Sequence, residues 1–323
     1  PPKTQLQWPP PAKINRILKR NCQTGAMDGS TISQNAPLSL RGHAFMTADM
    51  PVIAHAVTEF CNGAEEGTLQ FFDAALPHCR RLIDVGAYIG LLSLYASDRV
   101  EEILAFEPSP THQSLLTANI IANQDYRPDL AERITLIPAA LGLAEGVAPL
   151  FRKAYADSGS SLFQSVERHQ VLHGQVEAQV PILAAAKTLE EIGLNAATLI
   201  KIDVEGAEYD LIPEVAPLLA RFQPFLHLSF HPFNLLAASP AETLFLRLRR
   251  GLELAAALQF YPYIYLFQNG VWLEVTAVTY LKFIEDYLMK PKRLPRVASP
   301  QYGFVDAAGF SAIRLDLAAM QFA

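Results

Sequence analysis

The sequence predicts an α/β protein built on a doubly wound, mostly parallel sheet, and three observations carry that expectation. Short apolar runs alternate with stretches of helical period from residue 80 onward, with no repeat of roughly 20–50 residues. One of these runs leads through a glycine turn into a helix, and an acidic residue closes the run after it. Near the end, Asn269-Gly270 separates two strand-like runs, Tyr263–Phe267 and Val271–Val275, a strong signal for an antiparallel hairpin.

The first 75 residues read as an arm and a helical segment. Pro1–Pro11 is proline-rich and extended. Ala12–Arg20 suits a short basic helix with Ile14, Ile17 and Leu18 on one side, packed on its own domain rather than on a membrane. Residues 21–40 have loop composition, and Met50–Leu76 has the spacing of helices that cover the first strand.

Residues 81–107 outline a nucleoside-cofactor site. Leu82, Ile83 and Val85 suit a strand buried on both faces, and Asp84 interrupts them just before Gly86-Ala87-Tyr88-Ile89-Gly90. Leu91, Leu92, Leu94 and Tyr95 then fall at helical spacing, so the glycines occupy a strand-to-helix turn against which a ligand can lie. Ile103–Phe106 is the next strand and ends at Glu107, 23 positions after Asp84. An acidic residue about 20 positions on meets a ribose in nucleotide-binding βαβ units. Two glycines fall short of G-x-G-x-x-G, and Asp84 would repel a pyrophosphate while attracting the ammonium of an amino-acid cofactor. S-adenosylmethionine fits these residues better than NAD.

The alternation continues. Ser109-Pro110-Thr111 opens a helix through Ile121, Ile134–Ile137 is a strand, and the small residues 138–142 offer Ala140 as floor under an adenine. Val147–Lys153 is a further strand; residues 157–161 are either a surface turn or a functional loop, and Leu189–Leu194 is a short helix. Residues 199–206 form a second informative stretch, because Lys201, Asp203 and Glu205 alternate with Ile200, Ile202 and Val204 where a central strand should be apolar. Glu208 and Asp210 open the following helix, where the helix dipole alone accounts for them. Phe225–His231 is the next strand, and ligands bind beyond strand carboxyl ends, which favours His231 over His227 as a site residue. Ser239 and Pro240 cap a helix to about Leu258, and a further helix is expected at 279–289 in a helical extension over 277–323.

A net charge of −6 argues against a nucleic-acid binder. Three scattered cysteines give neither a disulfide framework nor a zinc pattern, which makes a reducing cytoplasm the expected compartment. No segment reads as a membrane span or a secretory leader.

Residues 83–90, 105–110, 140–142 and 200–208 together resemble the FkbM-type S-adenosylmethionine-dependent methyltransferases, over roughly residues 80–232. The resemblance implies a class I methyltransferase domain over 76–276. It implies that Gly86, Ala87, Tyr88, Gly90, Pro108 and Ser109, with Asp84, Glu107 and Ala140, bind the cofactor. It implies methylation of a hydroxyl on a sugar, polyketide or other secondary metabolite. Family members commonly carry Asn at position 88 and Glu at position 229, where this chain has Tyr and Ser. His231 is the expected general base, neutral near its reference pKa, with Asp203 orienting it; this metal-free arrangement is preferred to one in which Asp203 and Glu205 hold a divalent ion. The alternatives are a catalytically silent cofactor-binding or scaffold protein and an NAD-dependent oxidoreductase. The acceptor is a small molecule, and the terminal segments shape its binding or an oligomer contact.

Overall fold

The computed structural model describes residues 23–24, 37–152, 162, 175–231, 235, 237, 239–268, 271–275 and 315–320. In chain order, a small antiparallel sheet of β1 (Gln23–Thr24), β2 (Leu38–Leu40) and β3 (His43–Phe45) precedes helices α1 (Pro51–Cys61) and α2 (Glu66–Ala75). Then come β4 (Arg81–Val85), α3 (Leu91–Ala96), β5 (Glu102–Phe106), α4 (Pro110–Gln124), α5 (Pro128–Ala131) and β6 (Ile134–Ile137). A second small sheet holds β7 (Ala140–Gly142), β8 (Gly146–Arg152) and β9 (Gln175–Ala184) in the order β7-β9-β8. The chain continues through α6 (Ala185–Ile192), β10 (Thr198–Ile202), α7 (Glu208–Phe222), β11 (Phe225–Phe230), α8 (Pro240–Leu258), β12 (Tyr263–Gln268), β13 (Val271–Val275) and β14 (Leu315–Met320).

The central sheet has the order β13-β12-β14-β11-β10-β4-β5-β6. Its run from β11 to β6 is parallel, and β14 is antiparallel to both of its neighbours, β11 and β12. The order reverses at β4, whose sequence successor β5 lies on one side and β10 on the other, so a crevice opens beyond their carboxyl ends.

Side-chain alternation explains why these strands sit in the middle. Leu82, Ile103 and Leu199 point into a core shared with α1 to α4, whereas Ile83, Val85, Ile200 and Ile202 point into a core shared with α6, α7 and α8. Each such buried aliphatic side chain contributes about 1.5–3 kcal/mol, enough to offset the roughly 1–2 kcal/mol of backbone order that its residue costs. Ser109 and Ser239 cap α4 and α8, each accepting the N–H of the residue three positions on, at 3.2 Å.

Several expectations need correction. Leu315–Met320, expected within a helical extension, is a strand between β11 and β12, so the β12–β13 hairpin does not close the sheet alone. Alanines favour a helix locally, and long-range pairing overrides that preference. The 147–153 strand exists as β8 but belongs to the second small sheet, and the expected loop at 21–40 contains β1 and β2. Cys61 is disulfide-bonded and Cys79 is free and buried, so the cysteines no longer support a reducing compartment. The arm 1–11, the basic helix 12–20, the loop 157–161 and the helix 279–289 lie outside the described residues. Among the described residues no helix is long and apolar enough to cross a membrane.

Candidate active site

A pocket of about 580 Å³, its open mouth included, lies at the reversal point and is lined by Gly86, Tyr88, Glu107, Pro108, Ala140 and Asp203 among others. These six are expected site residues, brought together from the ends of β4, β5, β7 and β10. The glycine turn is held from below: Gly86 and Ala87 donate their N–H groups to the Phe106 carbonyl, each at 3.0 Å, and Asn119 of α4 donates to the Ile89 carbonyl at 2.8 Å.

Glu107 is anchored through both of its carboxylate oxygens. Its Oε2 accepts the Tyr88 N–H and its Oε1 the Ser109 N–H, both at 2.8 Å, and His112 Nδ1 lies 3.3 Å from Oε1. Tyr88 stacks edge-on against His112 with ring centroids 4.7 Å apart. Tyr88 has φ 54°, a left-handed conformation that asparagine adopts more readily than tyrosine. Glu205, another pocket residue, has φ 53°.

Four expected contacts lie elsewhere. Asp84 is fully buried beneath the turn: its Oδ2 accepts the Ser93 hydroxyl at 2.7 Å and its Oδ1 lies 3.1 Å from Lys201 Nζ. An internal ion pair therefore takes the place of the expected contact with an ammonium group. Ala87 is buried, and Gly90 caps α3. Ser109 is fully buried and donates its hydroxyl to Glu177 at 2.8 Å, away from the pocket.

His231 follows β11 and reaches Asp203, which follows the neighbouring β10. Its Nε2 is 3.4 Å from Asp203 Oδ1 and 3.7 Å from Glu205 Oε1. Burial alone would push the imidazole pKa down, but Glu208, Glu205 and Asp203 outweigh burial and hold it up at about 9. This corrects the expectation of a pKa near the reference value: the three carboxylates make the ring hold its proton more tightly, which leaves no free nitrogen lone pair to take a proton from an acceptor. His227, by contrast, is buried among Phe71, Phe72 and Trp272.

Glu208 is the residue that sequence reasoning missed. It is fully buried, its Oε2 accepts the Gly206 N–H at 2.7 Å, and its Oε1 accepts the His231 N–H at 2.5 Å and lies 3.2 Å from His231 Nδ1. It thus holds both the ring and the backbone of His231, the orienting role that had been expected of Asp203. The available signal was its i, i+3 spacing from Glu205.

Strand order, a pocket at the reversal point and a carboxylate closing β5 define a class I methyltransferase domain. The chain belongs to the FkbM methyltransferase family: the family described as Methyltransferase FkbM domain matches residues 84–255. It is 27% identical over 168 residues to Methyltransferase sdnD of Sordaria araneosa, covering 44% of this chain and 62% of that protein. It is 26% identical over 156 residues to Methyltransferase 1 of Beauveria bassiana (strain ARSEF 2860), covering 43% and 59%. The chain therefore spans less than two thirds of the length of these curated relatives. A solved FkbM methyltransferase from Methylobacillus flagellatus KT shares 18% identity, with 47% of this chain and 33% of that one covered; its TM-score of 0.32 adds nothing to the fold argument.

The cofactor is S-adenosylmethionine, and the pocket fits it. Among the described residues its wall carries the carboxylates of Glu107, Asp203 and Glu205 and no lysine or arginine, a lining suited to a cationic sulfonium and unsuited to a pyrophosphate. Glu107 would hold the ribose diol, and Phe106, Ala139, Ala140 and Leu141 would face the adenine. Replacing Glu107 with glutamine is expected to cost about 1–3 kcal/mol of S-adenosylhomocysteine affinity, read by calorimetry. Unchanged affinity would remove Glu107 from the binding role.

Proposed function

We propose that the chain methylates a hydroxyl oxygen of a small-molecule acceptor, a sugar or secondary metabolite. One observation carries this reading: Asp203 and Glu205, with side chains 18% and 16% exposed, line the same pocket as Glu107. Bound S-adenosylmethionine supplies an electrophilic methyl group. The carboxylates accept the hydrogen bond of the acceptor's O–H and hold its oxygen toward that methyl group; as the O–C bond forms and the S–C bond breaks, the proton passes by way of the carboxylates to solvent. They disfavour an amine acceptor, because two carboxylates stabilise it as an ammonium with no lone pair for attack. His231, gripped by Glu208, is a positioning residue for the pair rather than the base.

The test is turnover on a panel of hydroxylated acceptors, with S-adenosylhomocysteine binding measured in parallel. Asp203→Asn keeps the shape and removes the charge; kcat is expected to fall about 10²–10⁴-fold while S-adenosylhomocysteine affinity changes far less. A variant that folds and turns over like the parent, or a product methylated on nitrogen or carbon, would sink the proposal. Cofactor binding with no labelled product in a source-cell extract would favour a silent binding protein.

A further inference from the structure

We infer that Asp203, Glu205 and His231 bind one divalent cation of the oxygen-preferring class, such as Mn²⁺ or Mg²⁺, at the inner wall of the pocket. The inference rests on the pocket reading above and deepens it. One donor atom from each of the three residues lies within 4.8 Å of the others. Ligands on opposite sides of an ion with bond lengths of about 2.0–2.6 Å stand roughly 4.0–5.2 Å apart, and adjacent ligands roughly 2.8–3.7 Å apart. The 3.4 Å and 3.7 Å separations of His231 Nε2 from the two carboxylates match adjacent positions around one centre.

A second observation points the same way from outside the cluster. Glu208, fully buried, lies 3.2 Å from His231 Nδ1 and takes the His231 backbone N–H, so the ring presents Nε2 to Asp203 and Glu205, where the ion would take the place of the Nε2 proton, released to solvent. A carboxylate behind a histidine is the arrangement that fixes tautomer and ring orientation in metal sites. Two carboxylates and one imidazole, without a thiolate, favour Mn²⁺ or Mg²⁺ over a soft ion. Charge favours it too: Asp203, Glu205 and Glu208 surround a single imidazole, and the nearby Lys201 is already paired with Asp84. Because Asp203 and Glu205 line the pocket, the remaining positions on the ion face the acceptor. There it would hold the acceptor's hydroxyl and acidify it, the proton passing to solvent water.

The full chain, stripped with a chelator, is titrated with MnCl₂. Bound ion is read from the loss of the free Mn²⁺ electron-spin signal, and S-adenosylhomocysteine binding is measured on the same preparation. The expected result is one Mn²⁺ per chain, with affinity about tenfold or more weaker in Asp203→Asn and in Glu205→Gln, and about 10–100-fold weaker in Glu208→Gln. Thermal unfolding checks that each variant is folded, and if one of the two pocket variants unfolds, the other decides. Absence of saturable one-to-one binding by the parent, or parent-like affinity in the folded pocket variants, overturns the inference. S-adenosylhomocysteine binding without Mn²⁺ binding removes the ion and leaves the donor pocket. Mn²⁺ binding without S-adenosylhomocysteine binding supports the ion and removes the donor pocket.

Discussion

Replacing Lys201 with alanine is expected to lower stability by about 3–5 kcal/mol, although the residue lies outside the pocket lining. Lys201 and Asp84 are register partners on β10 and β4, 3% and 0% exposed, and the ammonium also donates to the Gly86 carbonyl at 2.6 Å. Burial would push the lysine pKa down, but Asp84 and Asp203 raise it above its usual value, so the pair is ionic in the folded chain. Removing the ammonium leaves the Asp84 charge under the glycine turn with the Ser93 hydroxyl as its remaining named donor. Urea unfolding measures the loss, and the double change Lys201→Met with Asp84→Asn should recover part of it by leaving no buried charge. A single variant within about 1 kcal/mol of the parent would show that the pair contributes little.

Gly86→Ala is expected to be more damaging, costing more than about 4 kcal/mol and abolishing S-adenosylhomocysteine binding in any fraction that folds. Gly86 has φ +78°, and a Cβ there would meet the Asp203 carbonyl oxygen at 1.9 Å. That carbonyl cannot retreat, because the Asp203 N–H is tied to the Val85 carbonyl at 3.0 Å. Gly90 makes the informative contrast: with φ +80° it carries similar backbone strain, but its added carbon would meet a Leu116 side-chain atom at 2.9 Å, and a leucine can shift. The midpoints should therefore rank parent, Gly90→Ala, Gly86→Ala. The reverse order of the two variants would refute the packing argument.

The parts of this fold that were legible in the sequence are those encoded by contiguous residues. Short apolar runs marked the strands, Gly86 and Gly90 the turn, and Asn269-Gly270 the hairpin, because each depends on a few neighbouring side chains. Glu107 was placed at the pocket because its position at a strand end is itself local. Asp84 was misplaced because its partner, Lys201, is brought to it only by sheet register. In hindsight, two lone charges in two apolar strands were a hint that they answer each other. The charge state of His231 was unreadable for a similar reason, since it depends on three carboxylates that converge only in the folded chain. Glu208 looked like an ordinary helix-start acid, and its complete burial is a tertiary fact.

The position of β14 affects how the chain reaches its final form. Leu226 pairs with Ala319 and Ile264 with the same Ala319, so the last of the described strands is an interior strand in space. During synthesis from the amino end, the parallel half can assemble early from near neighbours, while β11 and β12 wait with bare backbone edges facing a gap. The sheet closes only once a segment that follows both neighbours in sequence is inserted between them, which concentrates the loop-closure entropy in that step. Until that event, the open edges are where a growing chain is most exposed to pairing with a second copy of itself.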